Sequence, residues 1–257
     1  MCLLAIQYRS VPEAPILVAA NREEAYDRNS LLPAIQAGKP RILCGIDARA
    51  GGTWLGVNQN GLFVGVCNRL KLHPPAAPKS RGVLAREMLR TNSARQAVDM
   101  ALEELSTGRY DGANFIVADH ESGWVVHGHD DPEVVELEEG LSIISNGDVN
   151  DVRDERGKLC RRLLTLQTLD SAVKFLARAS QAFSRPPAPE GRPSMVMQGK
   201  ERGTVSSTLI ALGKKPRDAI FQYASGNPVD AKYEDYSPML RDILSRGLRE
   251  SRTRAKA

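Results

Sequence analysis

Short apolar runs rich in β-branched residues recur along the chain between clusters of turn residues, which is the pattern of buried strands. It predicts strands at about 2–8, 16–20, 53–58, 62–67, 114–118, 124–127 and 141–145, and two more at 206–212 and 219–223. The pair 53–58 and 62–67 flanks Gln59-Asn60-Gly61, whose Asn-Gly step favours a hairpin turn and antiparallel neighbours. A different period appears between these clusters. Ser93 and Gln96 form a capping box, after which Ala97, Val98, Ala101, Leu102 and Leu105 line one helical face. Leu159, Cys160, Leu163, Leu164, Leu166 and Leu169 do the same, and a further helix from about Asp170 carries Val173, Leu176, Ala177 and Phe183. Strands and helices alternating in blocks imply an α+β fold, with helices layered on antiparallel sheet. The Pro-rich run 185–193 reads as an exposed loop inside the domain, because strand signal resumes after it.

Composition narrows the class without changing this picture. At 257 residues and 42% apolar, the chain can bury a substantial core. Its net charge of +4 is concentrated in 241–257, where six basic residues face two acidic ones, while the remainder carries 29 of each sign. A neutral body lacks the basic footprint of a nucleic-acid-binding domain, and 241–257 reads as a basic tail, a solvated or frayed helix rather than a binding arm, following one domain over 1–240. No run of 18 apolar residues is present to span a bilayer, and the N-terminal stretch lacks a charged leader, so cytoplasmic residence is the expectation. Cysteines at 2, 44, 67 and 160 have no C-x-x-C spacing, which argues for free thiols rather than a zinc site or a redox pair.

Cys2 carries the most chemical information. Removal of Met1 would leave a residue holding both a thiol, pKa ~8.5, and an α-amino group, pKa ~8, so nucleophile and base would share one residue. Position alone leaves open whether Cys2 is that nucleophile or a small apolar residue of an edge strand. Asn21-Arg22-Glu23-Glu24 directly follows a predicted strand, and a guanidinium beside a thiol lowers its pKa. In isolation this cluster could equally be a solvated cap.

Met1-Cys2, Ala19-Ala20-Asn21-Arg22-Glu23-Glu24 and Gly51-Gly52-Thr53-Trp54-Leu55-Gly56-Val57 resemble the transport and Golgi organisation 2 family, also called the NRDE proteins. The resemblance continues through Tyr110-Asp111-Gly112-Ala113-Asn114-Phe115, residues 141–147, Lys158-Leu159 and Gly203-Thr204-Val205-Ser206-Ser207-Thr208. It implies a four-layer αββα sandwich similar to the N-terminal-nucleophile hydrolases, whose cysteine members cleave linear amides. By that resemblance Cys2 is the nucleophile, Asn68 and Asn146 match oxyanion-binding asparagines, and Glu23 stands where an aspartate holds the α-amino group. Arg22 joins this catalytic set, and Asn21, Glu24, Trp54 and Arg69 are expected to contact substrate. Two departures stand out: Glu23 replaces the family aspartate, and Val205 occupies the position of arginine in Gly-Thr-Arg-Ser-Ser-Thr. Arg22 and Arg69 are the cations left to substitute for it.

His127-Gly128-His129 puts two imidazoles on one face of a strand, a candidate metal or haem ligand pair without an evident third member; the simpler reading is a surface strand end. Gly51-Gly52-Thr53 lacks the following Lys-Ser/Thr of a phosphate loop and reads as a turn. Cys44, Cys67 and Cys160 read as packing residues. Two functions therefore compete. One is a cysteine hydrolase of linear amides or related acyl compounds, needing no cofactor. The other is a non-catalytic carrier of a hydrophobic ligand such as haem, a lipid or acyl-coenzyme A, which the family resemblance also implies.

Overall fold

A computed structural model describes residues 2–254; Met1 and the last three residues of the basic tail lie outside the described residues. Among the described residues, thirteen strands form two antiparallel sheets. The first has the order β10 (Gly140–Ile144), β1 (Leu3–Tyr8), β2 (Ile16–Ala25), β11 (Arg202–Leu212), β12 (Ile220–Ser225) and β13 (Glu234–Asp235). The second runs in sequence order: β3 (Ser30–Gln36), β4 (Ile42–Asp47), β5 (Leu55–Asn58), β6 (Phe63–Asn68), β7 (Ala113–Ala118), β8 (Gly123–Gly128) and β9 (Glu133–Glu136).

Alternation along the strands divides the apolar side chains among three cores. Leu4, Ile6 and Tyr8 of β1 meet Leu43, Val57, Phe63 and Ile116 between the sheets. Leu3 and Ala5 point the other way, to α3 (Glu155–Leu164) and α4 (Ala172–Phe183). The outer face of the second sheet is covered by α1 (Arg81–Met88) and α2 (Ala94–Ser106). The result is the expected αββα sandwich. Cys67, Cys160 and Cys44 each fill one of the three cores, and the described cysteines are free thiols.

Local sequence accounts for most boundaries. Ser93 Oγ accepts the Gln96 amide, and the Gln96 side chain reaches back to the Asn92 N–H, which caps α2. The Asn-Gly hairpin forms, with Leu55 opposite Gly65 and Val57 opposite Phe63. Leu166 and Val173, expected on apolar helical faces, are instead exposed.

The boundary expected at residue 240 falls inside a helix. α5 (Ser237–Arg254) buries Leu240 and Ile243 in the inter-sheet core, and Arg41 pairs with its Glu250 at 2.9 Å. The spacing of Leu240, Ile243, Leu244 and Gly247 explains this docking: it is one helical face, masked in the sequence by the surrounding charge. No helix among the described residues is long and apolar enough to cross a membrane.

One backbone approach shapes the cleft described below. The turn after β4 lies against the start of α1, with the Thr53 amide donating to the Gly82 carbonyl at 2.9 Å. A Cβ on Gly52 would stand 2.2 Å from the Gly82 carbonyl carbon. Gly52→Ala is therefore expected to lower unfolding stability by about 1–3 kcal/mol through overpacking, measurable as a reduced urea midpoint with unchanged slope.

Candidate functional site

β2 runs ten residues and stays paired with β11 to its end, so its polar extension Asn21 to Glu24 keeps the pleat of the strand. Leu3 opposes Asn21, which sets Cys2 beside Arg22. Cys2, Arg22, Glu23, Glu24, Trp54 and Asn68 all line one cleft of about 430 Å³ at the end of the sandwich. Its further walls come from Asp47, Arg49 and the segment Pro78 to Gly82.

Arg22 is buried, with its guanidinium 4.7 Å from the Trp54 ring and Nη2 3.8 Å from Glu24 Oε2. Glu24 also faces Arg28 and Arg202, each at 3.5 Å, and Arg28 is bound to Asp47 at 2.7 Å. Glu23 is 4% exposed and meets Arg156 of α3, whose Nη2 donates to Oε1 at 2.7 Å. Thr204 Oγ1 donates to the same oxygen at 3.2 Å. The other carboxylate oxygen, Oε2, is buried without a hydrogen-bond partner among the described residues. Burial pushes the Glu23 carboxyl upward, against the pull of Arg156. Burial likewise raises the Cys2 thiol, and the Glu23 carboxylate adds to this; the Glu23 backbone N–H and Arg22 act in the opposite direction.

Thr204 reaches Glu23 because β11 is bulged. The register passes from Glu23 opposite Thr204 to Arg22 opposite Ser206, so Val205 is the extra residue. The cation that meets Glu23 thus comes from α3 and not from β11. No local pattern around Arg156 announces it, since it lies 133 residues from Glu23.

The two asparagines come together at the rim. The Asn146 side-chain amide donates to the Asn68 backbone carbonyl at 2.9 Å, leaving its second N–H in reserve. Asn68 lines the cleft, whereas Asn146 does not and meets it through the Asn68 carbonyl. Asn21 and Arg69 are not brought to the cleft. The Asn21 amide faces the helical layer, donating to the carbonyls of Phe183 and Met195, each at 3.0 Å. Arg69 binds Asp148 at 2.5 Å and approaches Asn114 and His127.

His127 is a correction to the surface reading: it is 1% exposed, with Nδ1 2.7 Å from Asn114 Oδ1. Burial and the nearby Arg69 lower its pKa below that of ordinary imidazole. His129 lies beyond β8, partly exposed near Glu133. His127 lines none of the larger cavities, and no group of three His, Cys, Asp or Glu among the described residues is placed to hold a metal.

This architecture and cleft define a protein with an N-terminal-nucleophile-hydrolase-like fold. A mutant conjugated bile acid hydrolase from Clostridium perfringens superimposes with a TM-score of 0.51, covering 93% of each chain at 11% identity. A Caenorhabditis elegans ortholog of N-acylethanolamine-hydrolyzing acid amidase gives a TM-score of 0.49 at 15% identity, covering 82% of this chain and 92% of that one. The chain itself belongs to the Transport and Golgi organisation 2 family, whose sequence profile matches residues 1–217. A homolog from Mus musculus is 31% identical over 128 residues, and one from Homo sapiens 29% identical over 126. Each alignment covers 46% of this chain and 45% of the relative, so the matched stretch spans just under half the length of either protein.

The buried pair gives a direct test of the site's frame. Arg156→Met leaves the Glu23 carboxylate without its cation and should cost about 3–5 kcal/mol, read by chemical denaturation. Adding Glu23→Gln to that variant should recover part of the loss.

Proposed function

We propose that this protein is an N-terminal cysteine hydrolase of linear amides or related acyl compounds, with Cys2 as nucleophile after removal of Met1. The observation that carries this reading is the surroundings of Cys2: a thiol on the cleft wall, near a buried guanidinium and a buried carboxylate with one oxygen unpartnered among the described residues. An α-ammonium on Cys2 is the group that would satisfy Glu23 Oε2, as the family's aspartate is expected to do.

In the proposed reaction the α-amino group takes the thiol proton and the sulfur attacks the carbonyl carbon, forming a C–S bond as the carbonyl π pair moves onto oxygen. The Asn68 amide, with Asn146 behind it, donates to that oxyanion. Collapse of the intermediate breaks the C–N bond, and the α-ammonium returns its proton to the leaving amine. Water then attacks the thioester, giving up a proton to the α-amine, and the acid departs as the thiol is restored. Arg22, fixed on Trp54, favours the thiolate electrostatically. The charged residues lining the cleft suit a polar end on the substrate better than a wholly apolar ligand.

Several outcomes follow for the purified protein. Its intact mass should lack Met1, and Cys2→Ala should abolish amide hydrolysis. Asn68→Ala should lower kcat/KM roughly 10²–10³-fold, as loss of one oxyanion donor does. A retained Met1 overturns the mechanism, since an acylated nitrogen cannot act as the base.

A pH profile supplies a second check. Burial and Glu23 raise the thiol, whereas a neighbouring α-ammonium lowers it. The pH midpoint of Cys2 alkylation should therefore be lower in the processed protein than in a version bearing an uncleaved N-terminal extension. Equal midpoints would argue against a free amine beside the thiol.

A further inference from the structure

Asn114 lies in the Tyr110 to Phe115 motif, away from the cleft, yet all its polar capacity is engaged. It is fully buried on β7, and its neighbour across the sheet is His127 on β8. Nδ2 donates to the Ser145 carbonyl at 3.1 Å and to the Gly147 carbonyl at 2.7 Å, the residues on either side of Asn146. Oδ1 faces His127 Nδ1 at 2.7 Å and accepts from Arg69 Nη1 at 3.3 Å. Ser145 to Gly147 follows β10, which belongs to the other sheet. One side chain therefore ties the seven-stranded sheet to the turn that carries the Asn146 amide, while that amide in turn binds the Asn68 carbonyl at the end of β6.

We propose that Asn114 is a positioning residue that holds the 145–147 turn, and with it the Asn146 amide, in register with Asn68, and that His127 and Arg69 fix the orientation of Asn114. The inference rests on the reading above in which Asn146 assists the oxyanion. A primary amide suits the place because it offers two donors and an acceptor on one short stem. Turning it over would set its oxygen against two carbonyls and its nitrogen against an Arg69 donor. With Oδ1 as the acceptor, a proton on His127 Nδ1 completes the contact and leaves Nε2 an acceptor, buried without a partner among the described residues. Asp148, two residues beyond Asn146, holds the other side of the Arg69 guanidinium at 2.5 Å and closes the network.

Two reactions of the same thiol separate this role from general damage. Alkylation of Cys2 by iodoacetamide displaces iodide and forms no oxyanion. Acylation by p-nitrophenyl acetate forms an acyl–sulfur bond through an oxyanion and expels p-nitrophenolate. Their rate ratio, followed at Cys2 by mass spectrometry, cancels changes in thiolate fraction and access. For Asn114→Ala the ratio should fall about tenfold or more, the scale of a lost or misplaced oxyanion donor, with the iodoacetamide rate unchanged. His127→Leu should lower the ratio in the same sense, and His127→Gln, which keeps a donor toward Oδ1, should restore most of it. If Asn114→Ala fails to fold, Arg69→Met and the two His127 variants carry the test. A ratio unchanged in Asn146→Ala overturns the oxyanion reading on which the inference depends. A ratio that falls in Asn146→Ala but not in Asn114→Ala, or not in Arg69→Met and His127→Leu where the former is unfolded, overturns the positioning role itself.

Discussion

β2 remains hydrogen-bonded into its sheet from Ile16 to Ala25, and that pairing decides where each polar residue of the Asn-Arg-Glu-Glu run can go. A strand sends successive side chains to opposite faces. Arg22 and Glu24 therefore share the side of Cys2 and Trp54, whereas Asn21 and Glu23 turn toward the helical layer, Glu23 still bordering the cleft. The consequences are costly unless each group is met. The Asn21 amide nitrogen is met by the carbonyls of Phe183 and Met195, its Oδ1 staying unpartnered among the described residues, and one Glu23 oxygen is met by a guanidinium from α3. A buried carboxylate needs such a partner, because its desolvation is not offset by packing alone. The helices beside the first sheet thus do more than cover an apolar face: α3 supplies the charge that lets a carboxylate sit next to the thiol.

The two departures from the family pattern meet at this place. Glu23 opposes Thr204, and Val205 is the bulged residue immediately after it. The longer side chain of Glu23 reaches both Arg156 and Thr204 Oγ1 with one oxygen. The absence of an arginine at 205 leaves the pocket with Arg22 as its buried cation on the β2 side, held by an aromatic face and one carboxylate. Arg69, the other cation expected to stand in, is committed to Asp148 and the Asn114 network.

The fold was legible in most of the continuously buried strands, although β4, buried almost throughout, was not anticipated. β1, β7 and the apolar part of β2 are buried at every position and read directly as strands. β3 was not, because Ser30–Gln36 is an edge strand containing Pro33, with Leu31 and Leu32 exposed and no alternation to detect. α1 was missed for its short length and Gly82, and α5 is legible only as a solvated or frayed helix from 241, because charge obscures the apolar face that docks it. At the site, motifs exposed Cys2, Arg22, Glu23, Trp54 and Asn68, which line one cleft. Arg156 carries no local signal, and Thr204 and Asn114, though inside motifs, have contacts that join distant segments and that no local pattern specifies. Asn21 and Arg69 show the converse limit. A motif names residues without saying which face of the pleat, or which neighbour, each will meet.

The four cysteines illustrate how position within one scaffold separates packing from chemistry. Burial raises the thiols of Cys44 to about 11 and Cys160 to about 12, and drives that of Cys67 well upward. A thiol inside a filled core is a poor nucleophile because the thiolate has no compensating charge there. Cys2 borders the same inter-sheet core as Cys67, but at the point where β1 ends and the cleft opens. There the core gives way to Arg22, Glu23 and an asparagine amide. The apolar interior holds the strand rigidly up to the residue before it would become solvated, and the polar end of β2 meets it at that residue. In the proposed reading, reactivity is thus a property of the boundary between the two sheets' shared core and the cleft, set by one residue of strand register.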